Sequence, residues 1–481
     1  MTAARQMISC CLPGVRGLLA AVLLAAASTA VATVSVDVVL PPIPAAAANA
    51  SVFATPIAAS GHSVYTVNVE PGPRPVPTHG FGFHTVVRKG VRRDDGGWDW
   101  HSHLLDNDTA NDPYHTAASI GLDRKGFVHV AYDMHNLPWQ YSVSSEPESI
   151  DDFVFRGQRV SQKARWGSQN RRVEFPTPGT AAIPGTQITY PSFFNDRNGQ
   201  LYVTYRYAVR PARTWSQRLF SGGLARYDEA SQSWLPIGGE VRVDGDDIEL
   251  PAGRSVHLSR PFISEPGWWV YQMRLAFDAD NGMHVAWLWR RGDSGVDQNF
   301  ASYAYLPPDR DTAYNADGQR YRLPIDLAAA SRVAPERIAR LAPDGLYSPA
   351  RISVSADGHP VVSLQSVHGP RYRSRLDDGQ WSDPEPVPRQ AFETHYDDNG
   401  HEWAFATGLT VLRRPVEADG QPTGAWQTVY KGDGDRGTAL CHTRAIPAPP
   451  DSAATFYIHA NVLDNGRCRD DRVTIVRLSE G

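Results

Sequence analysis

Ile-Gly-Leu-Asp-Arg-Lys-Gly-Phe-Val-His-Val-Ala-Tyr, residues 120–132, is the stretch that decides the fold. Apolar and β-branched residues flank a short turn with Asp and Gly, and both residues readily take the left-handed backbone conformation of a hairpin turn. The pattern returns in residues 194–205, 277–287 and 354–362, and its third copy places the turn at Asp280 and Gly282. Each copy predicts two antiparallel strands joined by a tight turn.

Hairpins that recur at roughly even intervals predict an all-β chain folded as a β-propeller with long inserted loops. The chain has 481 residues, of which 40 are glycine and 37 proline, a composition that favours many short strands and turns. Its length after a leader fits about six to eight blades. A β-sandwich and a solenoid are the alternatives.

The N-terminus has the pattern of an export signal. A basic start precedes an apolar run from Gly17 to about Ala32, and Ala-x-Ala cleavage sites end at Ala32 and Ala50. The alternative is a membrane anchor, but the run is shorter than the ~20 apolar residues that span a bilayer. We expect residues 1–50 to be signal peptide and leader, and residues 51–481 to be a single β-propeller catalytic domain. The protein would then be secreted or periplasmic, without stable membrane insertion.

The charge of the chain limits its partners. A formal net charge of -5 argues against non-specific nucleic-acid binding. It leaves room for a polyanionic substrate in a local basic cleft. The stretch 157–184 is rich in arginine and lysine, and it predicts either one wall of such a cleft or a solvated loop. We expect the protein to be a monomer.

Two cysteines, Cys441 and Cys468, remain after the leader. In an exported protein a disulfide between them is the default. Because His442 and His459 lie nearby in the sequence, a structural zinc site is an alternative, and free thiols are a third.

Four polar residues bracket two consecutive predicted hairpins. His115 and His135 enclose the first, and Tyr190 and Arg206 enclose the second. Antiparallel partners lie close together, and adjacent blades of a propeller converge on one face of the axis. A phenol, two imidazoles and a guanidinium are the groups that remove a proton from a carbon next to a carboxylate. The alternative is that Tyr190 is a half-buried strand aromatic and Arg206 a surface charge.

With the Tyr-Pro-Ser segment at Tyr190 and the Tyr-Arg-Tyr strand at Arg206, this arrangement resembles the propeller-fold ulvan lyases, a family of polysaccharide lyases. The resemblance covers most of the chain after the leader and is strongest between His115 and Arg206. It implies a seven-bladed β-propeller that cleaves ulvan, a sulfated polysaccharide of rhamnose-3-sulfate and uronic acid. It also implies a structural metal, for which Cys441 and Cys468 are the candidate ligands.

The same resemblance implies roles for the four residues. Tyr190 is expected to be the catalytic base and acid, and Arg206 to neutralise the substrate carboxylate. His115 is expected to be the second catalytic group, and His135 a supporting histidine. The reaction is a β-elimination that needs no cofactor for catalysis.

Further residues are candidates for substrate binding. Arg171 and Arg172 are expected to hold sulfate, because guanidinium groups bind oxyanions in a bidentate manner. Trp139 lies outside a strand alternation and is expected to stack on a sugar, with packing inside a blade as the alternative.

Two other functions fit parts of the pattern. A sialidase-like glycoside hydrolase also has hairpin repeats, but it needs three arginines around a carboxylate and a Tyr/Glu pair. A carbohydrate-binding propeller without activity would use the aromatics and Arg206 but would not need Tyr190 to ionise. Only a lyase would create a conjugated uronyl double bond, which absorbs in the ultraviolet.

Overall fold

Nearly all regular structure in the computed structural model of the chain is β-strand. The structure describes the following residues: 34–44, 47, 49, 53–72, 83–105, 116–137, 139–157, 183, 186–210, 219–244, 256–291, 299–366, 370–388, 391, 393–406, 409–432, 439–449, 452, 454–464 and 467–480. Within them, seven sheets of four or more strands are arranged as the blades of a β-propeller. The predicted fold class and the seven blades are therefore confirmed.

The first three blades are antiparallel sheets in chain order. Blade 1 is formed by β2 (Ile57–Ser60), β3 (Ser63–Pro71), β4 (Phe83–Arg92) and β5 (Trp98–Leu104). Blade 2 is formed by β6 (Ser119–Leu122), β7 (Val128–Ala131), β9 (Tyr141–Ser144) and β10 (Phe153–Phe155). Blade 3 is formed by β11 (Thr186–Asn195), β12 (Leu201–Arg210), β13 (Leu219–Asp228) and β14 (Ser233–Pro236), and β8 (His135–Leu137) joins it beside β11.

Blades 4 to 6 carry most of the additional short strands. Blade 4 is formed by β17 (Trp268–Phe277), β18 (Met283–Arg291), β19 (Phe300–Leu306), β20 (Ala313–Tyr314), β21 (Arg320–Tyr321) and β22 (Ser331–Arg332). Blade 5 is formed by β23 (Leu346–Val354), β24 (Pro360–Ser366), β25 (Arg371–Asp377), β26 (Gln380–Trp381) and β27 (Glu385–Pro386). Blade 6 is formed by β28 (Glu393–Tyr396), β29 (His401–Ala406), β30 (Thr410–Pro415) and β31 (Gln427–Lys431).

Blade 7 combines both ends of the chain. It is formed by β32 (Ala439–Pro447), β33 (Phe456–Asp464), β34 (Arg467–Glu480) and β1 (Val34–Val39). The remaining elements are a two-stranded sheet of β15 (Val241–Asp244) and β16 (Val256–Ser259), and the helix α1 (Pro335–Leu341). No helix in the described ranges is long and apolar enough to cross a membrane.

The N-terminal strand corrects the predicted boundary at residue 50. All of β1 pairs with β34, from Val34 opposite Glu480 to Val39 opposite Ile475. Asn49 is fully buried, and its side-chain amide donates to the carbonyl oxygens of Val67 at 2.7 Å and Ala118 at 3.0 Å. The propeller therefore includes residues before 51. Of the two predicted cleavage sites, only the one at Ala32 leaves β1 in place.

Shortening the chain tests this boundary. A protein that begins at residue 33 is expected to unfold at the same temperature as the full chain. One that begins at residue 51 loses β1 and Asn49, which exposes the edge of β34. The loss of these hydrogen bonds is expected to lower the free energy of unfolding by at least about 3 kcal/mol. Calorimetry of the two proteins checks this, and equal midpoints would show that β1 is dispensable.

An aspartate fixes the hairpin turn in several blades. In blade 2, Asp123 Oδ1 accepts the backbone N–H groups of Lys125 and Phe127, each at 2.9 Å, and Oδ2 lies 3.3 Å from His129 Nε2. The turn aspartate contacts the side chain six residues later in three more blades: Asp196 with Tyr202 at 3.4 Å, Asp278 with His284 at 3.2 Å and Asp397 with Trp403 at 2.7 Å. The repeat thus consists of a turn and the buried side chain that it anchors.

In the third repeat, the sequence pattern places the turn aspartate two residues too far along the chain. Asp278, not Asp280, accepts the backbone N–H of Gly282, at 2.6 Å. The left-handed residue is Asn281, with a φ of 66°, rather than Gly282. Gly282 is required for another reason, because a Cβ there would lie 2.4 Å from the Tyr305 hydroxyl. A further copy at Asp397 was missed by the sequence analysis.

Candidate active site

Three of the strands at the inner edge of blade 3 bring two predicted residues together. His135 on β8 pairs with Thr189 on β11, and Thr189 pairs in turn with Arg206 on β12. Residues directly opposite each other in a sheet project to the same face. Thr189 also holds the β8 segment, because its hydroxyl accepts the backbone N–H of Asn136 at 3.0 Å. The sheet therefore carries His135 and Arg206 on either side of Thr189.

Tyr190 occupies a β-bulge in β11 and has a strained backbone. The register shifts between Thr189 and Ser192, and Tyr190 has a φ of 56°. Few bulky residues adopt this left-handed conformation, and such strain costs about 1 to 3 kcal/mol and concentrates at functional sites. The half-buried Tyr190 ring stacks on Phe53, with centroids 4.8 Å apart, and lies 6.1 Å from the His135 ring.

Arg206 is enclosed by aromatic rings. Its side chain is only 4% exposed, and its guanidinium carbon lies 5.1 Å from the Tyr190 ring centroid and 4.7 Å from the centroids of Phe220 and Tyr271. Cation–π contacts stabilise a guanidinium that water does not solvate. The alternative of a surface charge is therefore wrong for Arg206, whereas Tyr190 is indeed a half-buried strand aromatic.

Tyr271 is a member of this cluster that the sequence analysis missed. It lies on β17 of blade 4, and its ring centroid is 6.4 Å from that of Tyr190. Burial raises the pKa of Tyr271, but the charges of Arg206 and Arg290 and hydrogen bonds from both outweigh burial, so its pKa lies below the ordinary value of 10.0. The site therefore contains a phenol that is easier to ionise than a free tyrosine.

A titration of tyrosinate absorbance tests this electrostatic arrangement. The difference between the protein and its Tyr271→Phe variant is expected to show one phenol that ionises below the ordinary tyrosine pKa. The variant Arg290→Met is expected to move that transition to higher pH, because one of the two cations that favour the phenolate is gone. An unchanged transition in Arg290→Met would contradict the assignment.

Several predicted residues cannot be placed in this cluster. His115, Arg171 and Arg172 lie outside the described residues, so their roles stay predictions. Trp139 is a correction: it is 0% exposed and its ring stacks on Tyr141, with centroids 5.1 Å apart, inside the core between blades 2 and 3. A side chain sealed in this core is not available for stacking on a sugar.

The two cysteines lie on strands that are not neighbours. Cys441 is on β32 and Cys468 on β34, and β33 runs between them. Two strand spacings amount to about 9.6 Å, beyond the ~7 Å between Cα atoms that a disulfide allows. The disulfide alternative therefore does not fit this strand order.

A zinc site at the cysteines stays a prediction. His459 pairs with Ile475, whereas Cys468 pairs with Leu463 four residues further along β33. At about 3.3 Å per residue these positions are too distant for one metal ion. No group of three or more His, Cys, Asp and Glu side chains in the described ranges is arranged to hold a metal ion.

Comparison with known proteins agrees with the architecture. A family model described as BNR repeat-containing family member matches residues 81–387. The polysaccharide lyase Uly1 is 12% identical with a TM-score of 0.58, and the alignment covers 92% of this chain and 91% of that one. A PL25 ulvan lyase solved with bound -[GlcA(1-4)Rha3S]- is 10% identical with a TM-score of 0.55, covering 92% of this chain and 96% of that one. No curated protein matches the sequence. At these identities the structural likeness establishes the fold.

Proposed function

Because the chain belongs to the BNR repeat-containing family and encloses an arginine between two tyrosine rings, we propose that it is a polysaccharide lyase acting on a uronic-acid-containing polysaccharide. The observation that carries the proposal is the contact of Arg206 with Tyr190 and Tyr271. A guanidinium that stabilises a carboxylate beside a phenol is what β-elimination from a uronic acid requires. The likeness in fold to Uly1 and the PL25 ulvan lyase supports ulvan as the first substrate to test.

The proposed reaction begins with proton removal from C5 of the uronic acid. That hydrogen is acidic only when the neighbouring carboxylate is neutralised, which is the role of Arg206. As the proton leaves, the electron pair forms the C4–C5 double bond and the C4–O bond breaks. Tyr190 takes the C5 proton as phenolate and returns it to the leaving oxygen when both events occur on one face of the sugar. For the opposite epimer, His115 is the proposed base.

Three further groups position these residues. His135 lies beside the Tyr190 ring, and Thr189 holds the backbone of the strand that begins with His135. In this proposal Tyr271 takes no part in proton transfer or bond breaking. It contacts the Arg206 guanidinium directly and fixes its position. The charges of Arg206 and Arg290 lower the pKa of Tyr271, so the Tyr271 phenol and the Arg206 guanidinium attract each other at this contact.

The proposal extends to where the protein works. A polysaccharide is too large to enter a cell intact, so the enzyme would act outside the cytoplasm. The apolar run that begins at Gly17 would then be an export signal, and a sulfated polymer would be bound by the arginine-rich stretch 157–184.

Ultraviolet absorbance on a panel of substrates tests the function. The protein is mixed with ulvan, alginate, heparin and pectate in parallel, and binding to each is followed by affinity electrophoresis. A rise on one polymer supports β-elimination and identifies the substrate. A flat trace on all four with binding retained favours a carbohydrate-binding propeller. Release of a reducing end or of sialic acid without a rise favours a hydrolase.

A further inference from the structure

The turn repeat places one residue from each of blades 2 to 6 beside the central channel, which is the space that the blades of a propeller surround. In blades 2 to 6 the turn residue is, in chain order, Asp123, Asp196, Asp278, Ser355 and Asp397. The residue four positions earlier in each blade is, in the same order, Ser119, Ser192, Arg274, Arg351 and Glu393. These residues lie on the inner strands and all are buried. Arg274 follows Tyr271 by three residues on β17, so this layer lies about 10 Å further along the strand than the candidate active site.

Contacts between neighbouring blades hold the layer together. Arg274 Nη1 donates to the Ser192 hydroxyl at 2.9 Å, and Arg351 Nη1 donates to Glu393 Oε1 at 2.7 Å. Blade 7 adds Arg444, which is 8% exposed and whose guanidinium carbon lies 5.1 Å from the Phe194 ring centroid. Arg274 is repelled by both Arg444 and Arg351, so the guanidinium groups from blades 4, 5 and 7 lie near one another.

Counted over the residues that the structure describes, the cluster holds more positive than negative charge. Glu393 is the carboxylate that the described residues contribute, against the guanidinium groups of Arg274, Arg351 and Arg444. Although burial opposes its ionisation, the charge of Arg351 and a hydrogen bond with His395 bring the pKa of Glu393 to about 2, so it is ionised. Burial lowers the pKa of Arg274 well below its usual range, and repulsion from Arg444 and Arg351 adds to the effect. Buried charges are normally paired, and a surplus of this kind is costly.

Unpaired polar atoms beside the cluster also indicate that a ligand binds there. Among the described residues, Arg444 Nε is buried and has no hydrogen-bond partner. His459 pairs with Arg444 across β32 and β33, is 0% exposed, and has no partner at either ring nitrogen. Buried donors without partners in a native protein indicate a ligand or ordered water.

We propose that the axial channel binds a divalent tetrahedral oxyanion, such as sulfate or phosphate, held by Arg274, Arg351 and Arg444. A dianion would balance the surplus charge and supply acceptors for the guanidinium groups. The proposal is independent of the proposed function, because the cluster lies deeper in the channel than Tyr190 and requires no chemistry. A bound dianion gives the three arginines a role at buried positions where apolar side chains would cost less free energy to bury.

Thermal unfolding at constant ionic strength tests the proposal. Sulfate or phosphate replaces chloride in the buffer, and acetate serves as the monovalent comparison. The unfolding midpoint is expected to rise with sulfate and to saturate at low millimolar concentration, because a ligand stabilises the state that binds it. In Arg444→Met, which removes one cation at similar volume, the apparent dissociation constant is expected to weaken at least about tenfold. Without sulfate this variant is expected to be no less stable than the natural protein.

Two further variants separate binding of sulfate at this cluster from a general change in stability. Glu393→Gln raises the surplus charge and is expected to tighten sulfate binding, opposite to Arg444→Met. Arg88→Met removes a buried arginine that pairs with Glu70 in blade 1, and it is expected to lower stability but keep the sulfate response. A midpoint that rises linearly without saturation, equally in all variants, is the general salting effect of sulfate and would overturn the proposal. So would a response that acetate reproduces.

Discussion

Replacing Tyr190 with phenylalanine is expected to lower kcat on the cleaved uronate polymer by about a thousandfold, within the range for loss of a general acid–base group. The variant keeps the ring, so the stack on Phe53 and the contact with Arg206 remain. Only the hydroxyl that takes and returns the proton is lost. Affinity for the polymer is therefore expected to change less than about threefold, and the measurement is steady-state ultraviolet kinetics.

The control for this variant is Tyr305→Phe. Tyr305 is a half-buried tyrosine of blade 4 that lies beside the Asp278 turn and outside the candidate site. Its variant is expected to retain natural activity, which separates loss of catalysis from general damage. Both variants are expected to unfold at the natural temperature. If Tyr190→Phe retains more than a tenth of the natural kcat, Tyr190 is not the acid–base group.

The fold was predictable because its repeat is local. The residues flanking Asp123 and Gly126 carry the strand pattern and the turn chemistry together, and no distant contact is needed to recognise them. The strand β1 was not predictable in the same way. Its pairing with β34 joins opposite ends of the chain, and nothing within residues 34–39 identifies that partner.

The candidate site was predictable in part for a related reason. Tyr190 and Arg206 stand on neighbouring strands of one hairpin, so their proximity follows from sequence spacing. Tyr271 comes from the next blade, where the repeat was placed two residues too late. Counting back six residues from the true turn aspartate gives Tyr190 in blade 3 and Gln272 in blade 4, and both have positive φ. With the turn at Asp278, Tyr271 would have been recognised as the neighbour of that position.

Burial depth was the property that sequence could not supply. Trp139 follows a Pro in a polar context, yet it is sealed between two blades. Arginine is usually found at the protein surface, yet Arg274 is 2% exposed and lies at the channel. In both cases the position in the propeller, rather than the neighbouring residues, decides whether the side chain meets solvent.

Replacing Arg206 with methionine is expected to lower kcat/KM on an ionised uronate polymer by about 10² to 10³, the usual effect of losing one group that stabilises developing charge. Methionine keeps the volume inside the aromatic cluster but removes the cation that neutralises the carboxylate. The loss of this cation is also expected to raise the pKa of Tyr271, since Arg206 is one of the two charges that lower it. Kinetics and the tyrosinate titration can be measured on the same preparation.

A methyl-esterified polymer separates neutralisation from a merely structural effect. The ester carries no charge, so its C5 hydrogen is acidic without help from Arg206, and the penalty of Arg206→Met relative to the natural enzyme is expected to fall below about tenfold. Arg226→Met, at an exposed position on β13 of the same blade, is the matched control and is expected to behave as the natural protein on both substrates. Equal losses on the acid and the ester would show that Arg206 supports the fold of the site rather than the carboxylate. The difference between the two substrates therefore measures the chemistry assigned to Arg206, whatever the variant does to stability.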